Sequence, residues 1–216
     1  RKSMYKCILF DMDGTLVNSY EGIYHSYQWA FKKSGHSFPG EGFVQKAIGL
    51  TVPQALERLG KFSEDEIAEL TKDYREYYVR QGKYEAFPYP GIETLLKKLK
   101  KAGCFLGTAT LKRTDFAVEM LDTFRLLSFF DAVCGMDEKD TKTKADLIEE
   151  GRRLAGASRK ETVLIGDSLS DAQGAGMAEV DFLAVTYGFG FQKGNLPEEV
   201  KMSADTVDAI EKVLKL

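Results

Sequence analysis

Only three cysteines, two histidines and one tryptophan occur in 216 residues, and each scarcity sets aside a class of function. Cys7, Cys104 and Cys134 are far apart, odd in number and each set in an apolar run, with no C-x-x-C and no clustered histidine. A disulfide scaffold, a zinc site and a thiol nucleophile are therefore not expected, and the three read as reduced core thiols of a cytoplasmic protein. His25 and His36 stand alone and read as structural or exposed residues. An excess of one charge is also missing. Thirty Lys and Arg against 33 Asp and Glu leave a formal charge of −3, with the two signs interleaved, so no basic face for nucleic acid is expected. The apolar run near the start is too short for a secretory leader or a membrane span, which needs about 20 residues, so no membrane partner is expected either. Arg1 to Ser3 precede the first methionine and have the form of a cloning remnant. Hydrophobic residues make up 44% of the chain, enough for a real core in one large domain or a domain carrying an insert.

The stretch that organises the chain is Cys7 to Leu16, CILFDMDGTL. Four apolar residues run into Asp11, Met12, Asp13 and Gly14, the pattern of a short buried strand ending in a tight acidic turn. Two carboxylates one residue apart have no use inside a strand, where alternate side chains share a face and like charges repel. A divalent cation compensates them most simply, and Gly14 lets the backbone turn closely around such an ion. Taken alone, the same residues also fit an acidic surface turn.

From about Ser19 to Phe87 no alternating β pattern occurs. Helical periodicity predicts helices over Tyr20–Ser34, Gly42–Ile48, Val52–Leu59 and Ser63–Gln81, the last opened by a Ser63/Glu66 capping box. Trp29, Tyr74, Tyr77 and Tyr78 are assigned to packing within this insert. Phe87-Pro88-Tyr89-Pro90-Gly91 is a stiff stop, read as the return linker. Beyond it strands and helices alternate: helix Ile92–Lys101 ended by Gly103, strand Cys104–Thr110, helix Thr114–Thr123, strand Ala132–Cys134, helix Lys144–Leu154, strand Thr162–Ile165, helix Asp171–Ala178, strand Phe182–Val185 and terminal helix Ala204–Leu214. That alternation implies right-handed crossovers and a parallel sheet covered on both faces. The fold predicted is α/β, a three-layer α/β/α Rossmann-like core (1–18 and 88–216) with a small all-helical cap domain (19–87) inserted after the first strand.

In an open parallel sheet, ligands bind beyond the carboxyl ends of the strands where the strand order reverses. The polar residues gather there. Asp11 and Asp13 end the first strand, Thr110 ends the second with Lys112 following, Asp167 and Asp171 follow the fourth, and Lys144 opens the helix after the third. If the first and fourth strands are neighbours, four carboxylates face one crevice and cannot all stay charged without a counter-ion. Mg²⁺ suits such a site better than Ca²⁺, because a few carboxylates leave positions open for water and phosphate.

In order, DMDGTLVNS, the Thr110 strand end in LGTATLK, the lysine of TKTKADLI and VLIGDSLSD resemble the four motifs of the haloacid dehalogenase-like superfamily. The helical insert is similar to the cap of its phosphoglycolate phosphatase-like branch. The resemblance implies that Asp11 attacks phosphorus and forms an aspartyl-phosphate. It implies that Asp13 protonates the leaving group and later activates water, while its carbonyl binds the metal. A second metal ligand or a turn cap is the alternative for Asp13. Asp167 becomes the metal ligand from the far side. Asp171 supports the metal, or else simply caps its helix. Thr110 and the backbone amides of Met12 and Leu111 bind the phosphoryl group, with Thr108 as a rival for Thr110. Lys144, preferred over Lys142 and Lys139 because Thr143 is a plausible N-cap beside it, neutralises charge. Lys112 is adjacent by sequence but reads equally well as surface charge. Thr15 and Ser168 are supporting hydroxyls, and Asn18, Tyr20, Lys46 and Thr51 are guessed to face the substrate from the cap.

The activity so implied is that of a Mg²⁺-dependent phosphatase acting on a small phosphorylated metabolite, as a monomer or homodimer. Carbon–halogen chemistry is disfavoured because family dehalogenases lack an acid at the place of Asp13. A sugar-phosphate mutase, which shares the four motifs, and a non-catalytic phosphoacceptor or regulatory module are the alternatives.

Overall fold

The computed structural model describes residues 5–215, so Arg1 to Ser3 and their reading as a remnant lie outside the described residues. In chain order the elements are β1 (Cys7–Phe10), β2 (Val17–Asn18), α1 (Tyr20–Lys33), α2 (Glu41–Ala47), α3 (Val52–Leu59), α4 (Glu64–Arg80), β3 (Phe87–Pro88), α5 (Ile92–Lys101), β4 (Phe105–Arg113), α6 (Thr114–Thr123), β5 (Ala132–Met136), α7 (Lys144–Ala155), β6 (Thr162–Gly166), α8 (Leu169–Ala178), β7 (Asp181–Val185), β8 (Met202–Ala204) and α9 (Val207–Val213).

The main sheet has the strand order β5-β4-β1-β6-β7-β8, every pair parallel. Its two faces follow from the two-residue period of a strand. Cys7 and Leu9 of β1 pack with Leu147 and Ile148 of α7 and Ala175 of α8. Ile8 and Phe10 point the other way, onto Leu96 of α5, Leu121 of α6 and Ile210 of α9. Because both faces are covered, β1 and β6 are buried along their whole length, which is why they read as unbroken apolar runs. The α/β/α layering is the one predicted.

Two details differ from the prediction. Ala204, the first residue of the predicted terminal helix, instead ends a sixth strand, Met202–Ala204, because β7 pairs with it in parallel, Val185 opposite Ala204. The helix begins only after Thr206, whose hydroxyl accepts from the Ala209 N–H. The predicted linker is also partly strand, since Phe87–Pro88 pairs antiparallel with Val17–Asn18. Both segments are two or three residues long, too short to leave a periodic signal.

The four helices α1 to α4 lie between β2 and β3 and bury a separate cluster built on Tyr27, Phe31, Phe43, Leu56, Leu70 and Tyr74. Capping boxes at Thr51/Gln54 and Ser63/Glu66 fix the starts of α3 and α4. Among the described residues no helix is long and apolar enough to cross a membrane.

Near its start, α1 crosses the turn that follows α4 at a glycine. A methyl group on Gly22 would sit 2.0 Å from the Gly82 carbonyl oxygen, a backbone atom with little room to retreat. Gly22→Ala is therefore expected to destabilise the protein by about 1–3 kcal/mol through overpacking, outweighing the gain of about 1 kcal/mol in helix propensity. A thermal melt checks this, and a midpoint equal to or above that of the parent would refute it.

Candidate active site

The strand order reverses at β1, which has β4 on one side and β6 on the other. The acidic turn after β1 therefore opens into the crevice that an open α/β sheet offers to ligands. Gly14 stands at φ +87°, its N–H bonded to the Val17 carbonyl at 2.9 Å. A methyl group there would collide with Asp167 Oδ2 at 2.1 Å. The turn and the end of β6 are thus in contact, as the sequence required if the two strands were neighbours.

Asp11, Asp167 and Asp171 are buried, and each offers an oxygen within 4.8 Å of the others. One ammonium faces them. Lys144 Nζ lies 3.0 Å from Asp11 Oδ1 and 2.9 Å from Asp171 Oδ1, and donates to the Ala109 carbonyl at 2.7 Å. Thr143 caps α7 with a capping box, so Lys144 is the first helical residue and is aimed inward. Lys142, by contrast, pairs with Glu150, and Lys139 is exposed. Burial, then the neighbouring Asp171 charge, raises the Asp11 pKa well above the ordinary carboxylate range. The same two causes push Asp167 up to about 7.

Asp171 is already satisfied by the protein. Its Oδ2 accepts from the N–H groups of Asp167 and Ser168 and from the Ser168 hydroxyl. Ser168 is the N-cap of α8 and Asp171 completes its capping box, so the predicted supporting hydroxyl holds Asp171, and Asp171 holds the loop. Asp167 Oδ2 accepts the Phe189 N–H at 2.9 Å. Asp11 accepts only from Lys144 among the described residues.

Asp13 points away from the other three. Its Oδ1 accepts from the Ser19 hydroxyl at 2.6 Å and its Oδ2 lies 3.4 Å from Lys112 Nζ. The Thr110 hydroxyl accepts the Lys112 N–H at 3.1 Å, leaving its proton to donate elsewhere. Thr108 is committed to the Cys134 carbonyl within the sheet, so of the two threonines Thr110 is the one at the crevice. The Met12 side chain is in the core, so only its backbone can serve the crevice. The Thr15 hydroxyl is buried and has no partner among the described residues.

A cavity of about 740 Å³, counting its open mouth, lies between the insert and the sheet edge. Asp13, Thr110, Leu111 and Lys112 line its core side, Thr51 and Tyr78 its insert side. Of the other cap residues guessed from sequence, Asn18 and Tyr20 line a different cleft and Lys46 is exposed. Sequence reading missed Ser19, Tyr78 and the Phe189 amide, and left Lys112 open. Ser19 is the last residue of the first motif and Lys112 lies two places after Thr110, whereas nothing local marks Tyr78 or the Phe189 amide.

The donor set suits a hard divalent cation. Three buried carboxylates against one lysine leave two uncompensated negative charges, all on oxygen. The raised acids set the pH behaviour. Without metal, the folded chain keeps protons on Asp11 and Asp167 that the unfolded chain loses near pH 4, so stability falls as pH rises from about 4 toward 7. In chelator the melting temperature is expected to drop between pH 5 and pH 7.5. Mg²⁺ is expected to raise it more at pH 7.5 than at pH 5, because binding needs ionised carboxylates. A Mg²⁺ effect independent of pH would contradict this assignment.

Comparison with known proteins agrees with the geometry. The family model for haloacid dehalogenase-like hydrolases matches residues 8–185. A 5'-nucleotidase of Pseudomonas aeruginosa is 34% identical over 187 residues, covering 86% of this chain and 85% of the relative. A phosphoglycolate phosphatase of Pseudomonas savastanoi is 28% identical over 209 residues, covering 93% of this chain and 76% of the relative. The crystal structure of a predicted phosphatase from Clostridium acetobutylicum superposes with a TM-score of 0.92 at 31% identity, covering 99% of this chain and all of that one. With its family model spanning the sheet from β1 to β7 and all four motif positions, the chain belongs to the haloacid dehalogenase-like hydrolases.

Proposed function

We propose that this hydrolase is a Mg²⁺-dependent phosphatase that cleaves a small phosphorylated metabolite through an aspartyl-phosphate on Asp11. Membership of the family, with relatives named as a nucleotidase and a phosphatase, supports phosphoric monoester hydrolysis as the reaction class. The observation that carries the finer reading is the charge balance at the end of β1, where one buried lysine serves three buried carboxylates.

Asp11 and Asp167, with the Asp13 carbonyl, would hold the ion, and Asp171 would keep Asp167 and Lys144 in place. Bound there, Mg²⁺ would offset the negative charge of carboxylate and phosphate so that one can approach the other. Asp11 then displaces the leaving-group oxygen from phosphorus. Lys144 and the Thr110 hydroxyl, with the Met12 and Leu111 amides, stabilise the charge on the transferring phosphoryl group. Asp13 faces the cavity, where the leaving group must lie, and is placed to protonate it and later to take a proton from the hydrolytic water. One side of the cavity comes from the insert, which fits a role as a cap that excludes water and limits substrates to small esters.

A panel of phosphate esters, assayed with and without Mg²⁺ for released phosphate, tests the proposal. Metal-dependent release is expected, whereas isomerised sugar phosphate without release would point to a mutase. Asp11→Asn is expected to lower kcat by at least about 10³-fold, while its melting temperature in chelator stays equal or rises, since an amide of the same shape replaces a carboxyl whose ionised form burial disfavours. An active Asp11→Asn enzyme would refute the nucleophile. Asp167→Asn is expected to raise the Mg²⁺ concentration needed for half-maximal activity by about 10- to 100-fold. An unchanged metal titration would remove Asp167 from the ligand set.

A further inference from the structure

One buried charge has no part in the mechanism above. The Lys112 side chain is 6% exposed, and a buried ammonium is costly unless partnered. It has two partners. Nζ donates to the Tyr78 hydroxyl at 2.6 Å and stands 3.4 Å from Asp13 Oδ2. Asp13 belongs to the turn after β1, Lys112 to β4 and Tyr78 to α4 of the insert, so the three form a line from the insert to the proposed acid.

The line is held rigidly at its insert end. The Tyr78 ring stacks on Tyr74 of the same helix with an interplanar angle of 13°, and meets Phe116 of α6 edge-on at 5.2 Å. The base of Lys112 is fixed as well, by the bond from its N–H to the Thr110 hydroxyl. What remains free is the direction of the ammonium. With Tyr78 in place it is shared. Without Tyr78 the one strong partner left to it is Asp13, and the two would close into a direct ion pair that occupies Oδ2.

We propose that Lys112 and Tyr78 are positioning residues for Asp13: the phenol supplied by the docked insert draws the Lys112 ammonium off Oδ2 and leaves that oxygen available to the leaving group. This rests on the phosphatase reading, in which the bond from phosphorus to the leaving oxygen breaks as that from Asp11 forms, and the departing oxygen takes its proton from Asp13. The assembled site would then depend on contact between insert and core rather than on the core alone.

The test uses the full chain and two substrates, an alkyl phosphate, whose leaving group needs a proton, and p-nitrophenyl phosphate, whose leaving group does not. Tyr78→Phe keeps the ring and removes only the hydroxyl. It is expected to lower kcat/KM on the alkyl ester about tenfold, within the range general acid catalysis supplies, and on the aryl ester by less than about threefold. Adding Tyr78→Phe to Lys112→Met should cost nothing further, because the phenol acts only through the ammonium. Equal losses on both esters, or losses that multiply in the double variant, would overturn the proposal while wild-type turnover and the dead Asp11→Asn control leave the phosphatase reading standing. A wild type inactive on both esters would overturn the two together. If Lys112→Met does not fold, the contrast between esters in Tyr78→Phe decides alone.

Discussion

Three carboxylates buried within one ligand sphere are unstable unless something opposes them, and the structure around the end of β1 is arranged to meet that constraint. Lys144 is the protein's own answer, placed by a capped helix so that its ammonium touches two of the three acids and a strand carbonyl. It is insufficient by two charges. Burial, and with it the shortfall, raises the pKa values of Asp11 and Asp167, and the three oxygen donors form a set that suits a divalent cation.

Division of labour among the four acids follows from how each is hydrogen-bonded. Asp171 spends Oδ2 on the backbone and hydroxyl of its own loop and Oδ1 on Lys144, so it orders the site rather than reacting. Asp11 is left nearly bare, as suits the nucleophile proposed for it. Asp13, two residues on, would share a face with Asp11 in a continued strand, but the turn after β1 directs its carboxylate toward Ser19 and Lys112, away from the other three acids. Two neighbours in sequence are thereby given surroundings different enough for opposite tasks.

Much of this was legible before any coordinates. Apolar runs ending in acid locate β1 and β6, but that their acids meet depended on the two strands being neighbours, which the sequence left open and the parallel pairing of β1 with β6 supplies. The plausible N-cap at Thr143 likewise favoured Lys144 over Lys142, and the structure adds the Asp146 half of the capping box. The rest depended on contacts that sequence does not encode locally. Tyr78 has the same periodic signature as Tyr74, and only the packing of α4 over β4 turns its hydroxyl to the site. Phe189 contributes a backbone amide, which any residue would supply. The strand Met202–Ala204 is defined by its partner Val185 rather than by its own composition.

The ribbon formed by β2 and β3 means that both passages of the chain between core and insert run side by side, hydrogen-bonded to each other. A body attached at two adjacent points on one edge has few ways to travel: it can swing about that edge but cannot slide across the sheet. Since Val17 of the ribbon also bridges back to Asp13, the pivot of any such swing is one turn of chain from the proposed acid. Opening would then change the angle at which the insert meets the crevice, while the distance along the chain from pivot to Asp11 stays fixed.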